Sequence, residues 1–119
     1  MEAKLGNPKM FSDIVSIFSE LVMEVKIKVN KEGMNIVAVD PANVAMIIFK
    51  LPKEAFLQLN VEAEESIGLN LEHFKAILRR CSSGSSLVMK TEENLLKIEI
   101  IDKIKREFTL TMIDLEGKE

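Results

Sequence analysis

Two hydrophobic periods alternate along this 119-residue chain, and each switch between them marks an element. Ala3 to Leu5 reads as a short strand, ended by Gly6-Asn7-Pro8. Asn7 is placed to cap a helix with Pro8 at its first position, where a missing N–H costs nothing. Met10, Phe11, Ile14, Val15, Ile17, Phe18, Leu21 and Val22 then recur at helical spacing and predict one wide apolar face. Ser12, Asp13, Ser16, Ser19 and Glu20 lie opposite. Val25, Ile27 and Val29 alternate with Lys26, Lys28 and Asn30, the period of a half-buried strand. Lys31-Glu32-Gly33 reads as a hairpin turn in which the glycine supplies a positive φ. Strands over about 34–40 and 44–51 follow, separated at Asp40-Pro41, where proline has no N–H for the ladder.

The second half repeats that order. Leu57, Leu59 and Val61 predict a linking strand, and Ser66 to Leu69 another. Asn70 is placed to cap a helix through Leu71, Phe74, Ile77, Leu78 and Cys81, with Ser82 to Ser86 as a flexible loop after it. Leu87 to Lys90 is a strand, Thr91 to Asn94 a turn, and Leu95 to Ile101 the next strand. Asp102-Lys103 turns the chain into a last strand, Ile104 to Leu115. Strand, helix and three strands thus occur twice. The expectation is one α+β domain of duplicated β-α-β-β-β units, with two helices packed on antiparallel sheets around a shared core.

Composition narrows this picture. A hydrophobic content of 47% and a mean hydropathy of +0.12 are high for a small monomer, so some apolar surface is expected to meet a neighbouring domain or subunit. Without Trp or Tyr, the core falls to aliphatic residues, Met and six Phe. One cysteine, Cys81, excludes an internal disulfide and a Cys-cluster metal site, and fits a reducing compartment. No stretch approaches a membrane span, and no signal-peptide core opens the chain. The net charge of −3 speaks against non-specific coating of DNA but leaves room for a local basic face.

Catalytic chemistry is sparse. The sequence has no glycine-rich phosphate loop, nucleophile elbow or His-Glu-x-x-His motif, and no cofactor is expected. His73 falls on the polar side of the second helix and reads as solvated. Glu62, Glu64 and Glu65 read as a solvated acidic loop, because no glycine-turned ligand loop accompanies them. Asp40 reads as a turn residue bonding backbone N–H groups rather than a general base. Cys81 at a helix C-terminus faces the negative end of the dipole, which disfavours a thiolate. Lys75 and Arg79, one turn apart, point the same way and with Arg80 could touch successive phosphates. The same cations would also complement the helix dipole.

Glu32-Gly33-Met34 with Asp40 and Val44, Gly68-Leu69-Asn70-Leu71 leading into Lys75 to Arg80, and Met112 to Glu116 occur in an order that resembles the DNA sliding clamps of the proliferating-cell-nuclear-antigen family, archaeal-type members most. The resemblance runs from Ala3 to Glu116 and implies a DNA-clamp fold, a non-enzymatic role and a ring of three two-domain subunits, with helices lining the hole. By position it implies DNA-facing cations at Lys75, Arg79 and Arg80, contacting phosphates of double-stranded DNA irrespective of sequence. It implies one wall of a pocket for polymerase, ligase and nuclease peptide motifs at Val39, Asn43, Val44 and Met46, and loading by a clamp loader. It implies a subunit-pairing edge along Lys105 to Ile113, with Arg80, Lys105, Phe108 and Leu110 at the interface. The first helix departs from the family, with Ser12, Asp13 and Ser19 where lysines usually face DNA. Residues 1–119 would be the N-terminal domain, ending where a connector to a second domain begins. The implied setting is intracellular, at the nucleoid in an archaeon or the nucleus in a eukaryote. Three other readings stay open: a checkpoint-type clamp subunit, a protein-interaction module of the same fold without DNA, and a small-molecule-binding or enzymatic α+β domain.

Overall fold

Val25, Ile27 and Val29 are all buried while Lys26, Lys28 and Asn30 between them stay partly exposed, so strict alternation fixes the strand face toward the core. The computed structural model describes residues 1–39, 46–82 and 84–113. Within them the chain runs β1 (Glu2–Leu5), α1 (Pro8–Leu21), β2 (Glu24–Asn30), β3 (Gly33–Val39), β4 (Met46–Pro52), a 3-10 turn (Lys53–Ala55) and β5 (Gln58–Asn60). The second unit is β6 (Glu65–Asn70), α2 (Leu71–Leu78), β7 (Ser86–Glu92), β8 (Leu95–Ile101) and β9 (Lys105–Thr111).

The strands form two antiparallel sheets, ordered β5-β1-β7-β8-β9 and β4-β3-β2-β6. Each unit therefore gives its first strand to the other's sheet: β1 pairs β7, and β6 pairs β2. The registers match across this exchange. Leu5 lies opposite Leu87 as Leu69 lies opposite Val25, and Ala3 opposite Met89 as Ile67 opposite Ile27. Phe49 on β4 and Phe108 on β9 occupy equivalent central positions, facing Ile36 and Ile98. The helices obey the same relation. Phe11 and Phe74 each follow their cap asparagine by four residues, are fully buried, and meet edge-to-face with ring centroids 5.9 Å apart. Duplicated β-α-β-β-β units with two helices on antiparallel sheets are what the pattern predicted.

Gly33 has a φ of +148°, and a Cβ there would sit 2.3 Å from the Leu51 carbonyl oxygen. Only glycine lets β3 begin this close to β4. The turn before it is fastened by the Glu32 N–H donating to Asn30 Oδ1 at 2.9 Å.

Several boundaries differ from the expectation. Met10, Ile17 and Leu21 are exposed, so the apolar face of α1 narrows to Phe11, Val15 and Phe18 with Ile14 at its margin. Asn7 sits at the cap position without a side-chain hydrogen bond, whereas Asn70 Oδ1 accepts from the His73 N–H at 3.2 Å. α2 stops at Leu78 instead of reaching Cys81, because the chain tightens: Arg80 N–H donates to the Ile77 oxygen and Cys81 N–H to the Leu78 oxygen. The linking strand is confined to residues 58–60, with Leu57 exposed and Val61 buried beyond its end. Thr91 and Glu92 belong to β7, opposite Leu96 and Leu95. Among the described residues the last strand spans 105–111, and Ile104 lies in the turn before it. Ser85 is buried and hydrogen-bonded, and Ser86 opens β7. The Asp40-Pro41 corner with its Asp40 turn, Asn43, Val44 and the Asp114-Leu115-Glu116 stretch lie outside the described residues.

Replacing Phe74 with Ala should cost about 3–5 kcal/mol of unfolding free energy, since a buried ring shared by both units is removed. Urea titration followed by circular dichroism measures it. A change under about 1 kcal/mol, well below that range, would show that the helix–helix packing is dispensable.

Candidate nucleic-acid and subunit interfaces

The helix layer carries little positive charge. On α1, Lys9, Asp13 and Glu20 are exposed beside Ile17, and Lys9 lies 3.9 Å from Asp13 as an i,i+4 pair. On α2, Lys75 is half-buried and Arg79 exposed, with the Arg79 N–H donating to the Lys75 carbonyl at 3.0 Å. The two side chains leave the helix one turn apart on one side. Arg80 does not continue this stripe. Its guanidinium carbon lies 5.6 Å from the centroid of the Phe108 ring on β9, a cation–π contact. The sequence offered Arg80 for two roles, and its side chain stands with the edge strand.

β9 ends its sheet, with Lys105, Glu107, Thr109 and Thr111 exposed on one face and Arg106, Phe108 and Leu110 half-buried on the other. Phe108 and Leu110 pack against the core. Lys105 bridges Glu99 at 3.4 Å and Glu107 at 3.5 Å. Hydrogen bonds and charge from Glu99 and Glu107 push its ammonium above the usual lysine range. Of the residues named for a peptide pocket, Val39 closes β3 and Met46, exposed, opens β4 opposite it.

A polar corner that the sequence did not reveal holds these parts together. Asp102 accepts from the Ile104 N–H at 3.0 Å, from Ser85 Oγ at 3.3 Å and from Arg106 Nη2 at 3.2 Å. Ser85 Oγ also accepts from the Ser82 N–H at 3.1 Å. The loop after α2 is thereby tied to the turn before β9, next to which Arg80 stands. Ser85 and Asp102 are 17 residues apart, so no local spacing announces the pair. The Ile104 N–H, helped by Arg106 and Ser85 against some desolvation, holds the Asp102 carboxyl below its usual range. Burial pushes the neighbouring Cys81 thiol up; Arg106 opposes this and Asp102 adds to it. That thiol is a poor nucleophile at neutral pH.

On the opposite end, Glu65 accepts from the Met1 ammonium at 2.8 Å and from Thr91 Oγ1 at 2.7 Å. Desolvation works against its ionisation, but these bonds prevail and its carboxyl titrates low. Among the described residues no group of three or more His, Cys, Asp or Glu is placed to hold a metal ion. No helix there is long and apolar enough to cross a membrane.

A duplicated β-α-β-β-β domain with paired helices over two sheets, cations at one helix end and, among the described residues, β9 at a sheet edge defines the class. The family model described as "Proliferating cell nuclear antigen, N-terminal domain" matches residues 1–118. A DNA polymerase sliding clamp of Thermococcus fumicolans is 40% identical over 119 residues, covering 99% of this chain and 48% of the relative. DNA polymerase sliding clamp 1 of Thermococcus kodakarensis is 36% identical, with the same coverage of 99% and 48%. The solved structure of PCNA from Thermococcus kodakaraensis superposes with a TM-score of 0.92 at 28% identity, over 99% of this chain and 48% of that one. The PCNA2–PCNA3 complex from Sulfolobus tokodaii gives 0.91 at 30% identity, over 96% and 47%. This chain belongs to the proliferating cell nuclear antigen family and has the sliding-clamp fold. It spans about half the length of the curated relatives it matches.

Asp102→Asn should loosen the corner at neutral pH. Because the folded carboxyl titrates below its unfolded value, the stabilisation is present above the ordinary aspartate range of about 4 and fades as pH falls through the lowered value. Urea midpoints of parent and variant are therefore expected to differ at pH 7 and to converge under acid. A pH-independent gap would show that the charge of Asp102 is immaterial.

Proposed function

We propose that this chain acts as the N-terminal domain of a DNA sliding clamp, a non-catalytic, intracellular, DNA-associated processivity factor in replication and repair. The observation that carries this reading is the family match along residues 1–118, joined to a helix layer whose free cations gather at the end of α2. In the ring, the helices face duplex DNA. Lys75 and Arg79 contact phosphates, which gives a grip without sequence preference and lets the ring move along the duplex. Arg80 serves the subunit interface through Phe108 instead. Lys105, Phe108 and Leu110 present the β9 edge to the next subunit of a trimer, where main-chain hydrogen bonds extend the sheet. Val39, Asn43, Val44 and Met46 form one wall of a site for peptide motifs of polymerases, ligases and nucleases. Tethering raises the local concentration of these enzymes on DNA once a clamp loader has closed the ring.

The scarcity of cations on α1 supports a light hold on DNA, carried by α2. In rings containing this domain, loaded onto circular DNA, Lys75→Ala with Arg79→Ala should shorten retention. The slope of log retention against log salt should fall by about 2, roughly one unit for each phosphate left without its cation. Cutting the circle should release the protein; equal retention on linear and circular DNA would overturn the topological reading.

Phe108→Ala removes apolar packing and the seat of Arg80 together. The subunit dissociation constant measured by ultracentrifugation is expected to rise about tenfold, which corresponds to some 1–2 kcal/mol of interface energy. An unchanged constant would take Phe108 out of the interface.

A further inference from the structure

The duplication supplies an internal comparison for the outer faces of the two sheets. Val37 lies opposite Ile48 as Glu99 lies opposite Glu107, and Val39 opposite Met46 as Ile101 opposite Lys105. On β8 and β9 these positions carry charge that is neutralised on the spot, since Lys105 bridges both Glu99 and Glu107. On β3 and β4 the same positions are apolar and open. Met46 and Ile48 are 61% and 50% exposed, with Val37 half-buried beside them. The fold does not demand apolar residues there, as the second unit shows. One row further along, β2, β3 and β4 set Lys28, Asn35 and Lys50 side by side. Neither of these lysines has an acidic partner among the described residues. The three strands hold three lysines against one carboxylate, Glu24, which lies at the far end of β2.

We propose that this outer face docks an extended segment of another protein, in which apolar side chains are followed, two residues on, by a carboxylate. The proposal rests on Met46 lining a peptide site, as inferred for the clamp, and extends that site along β3 and β4 toward Lys28 and Lys50. Side chains two apart on a strand stand about 7 Å apart on one face, and neighbouring strands lie about 4.8 Å apart. An extended partner laid along β3 therefore meets the sheet with a matching period. One apolar side chain falls against Met46, the next between Val37 and Ile48, and a carboxylate over Asn35. There the carboxylate has Lys28 and Lys50 on either side, one strand away each, and the Asn35 amide can donate to it. The apolar rows contribute affinity, and the cations set direction. A segment bound the other way round would lay its carboxylate on Met46 and desolvate it without a partner.

The test is a titration of the isotope-labelled chain, followed by its amide NMR signals, with a synthetic peptide containing Phe-Ser-Phe-Ser-Glu. Saturable shifts are expected along β3 and β4 and at Lys28, with none on β8 and β9. Lys28→Gln combined with Lys50→Gln should weaken binding about fivefold, and a peptide with lysine in place of glutamate should lose at least as much. Lys90→Gln should leave binding unchanged, because Lys90 holds the place of Lys28 in the other sheet. Ile48→Glu should weaken binding about tenfold. The fold should tolerate it, since Glu107 stands at the matching position, and urea unfolding checks this. No saturable shift, shifts on β8 and β9 instead, or equal binding of the lysine peptide would overturn the proposal. Shifts confined to Met46 and indifferent to Lys28 and Lys50 would overturn it too, while leaving the pocket wall standing. The clamp reading is judged separately, by retention on circular DNA.

Discussion

The edge-to-face contact of Phe11 and Phe74 is the point about which the molecule is arranged. Each ring descends from its own helix at the same distance from its cap, and each is fully buried. The contact joins two units that also share exchanged strands and one buried core. Because the rings occupy the space between the helices, α1 and α2 lie side by side over the sheets, and their outward faces form one surface. The side of α2 on which Lys75 and Arg79 stand is thus set by the face, Leu71, Phe74, Ile77 and Leu78, that the helix buries.

The duplication was plain in the sequence because it is written in local periods. Seven-residue strands, the two-residue turn at Lys31-Glu32 and the asparagines Asn7 and Asn70 before the helices can all be read within a short window. What the periods could not show was which unit's strands pair with which, since the β1–β7 and β2–β6 ladders join distant segments. The exposure of Ile17 and Leu21 was hidden for a similar reason. Helical spacing gives the width of an apolar stripe, but the sheet beneath covers only part of it. The early end of α2 comes with the tightening at Arg80 and Cys81, and the loop after it is held by Asp102 far along the chain.

The site was legible in part. The cations of α2 stand out by spacing, but nothing local distinguishes Arg79 from Arg80. The difference arises because the chain tightens after Leu78 and carries Arg80 toward Phe108 on β9. Residue type told where charge was available, and tertiary packing decided how it is divided between the helix face and the sheet edge. The Ser85–Asp102–Arg106 corner serves both sides of that division, since it fixes the end of the helix and the start of the strand with one carboxylate.

The exchange of first strands also constrains how the molecule can be made. β1 lies between β5 and β7, whose residues come more than fifty and more than eighty positions later in the chain. During synthesis the opening segment gains neighbours on both sides only after most of the polypeptide has left the ribosome. Neither unit can complete a sheet by itself, so the two halves acquire their structure together.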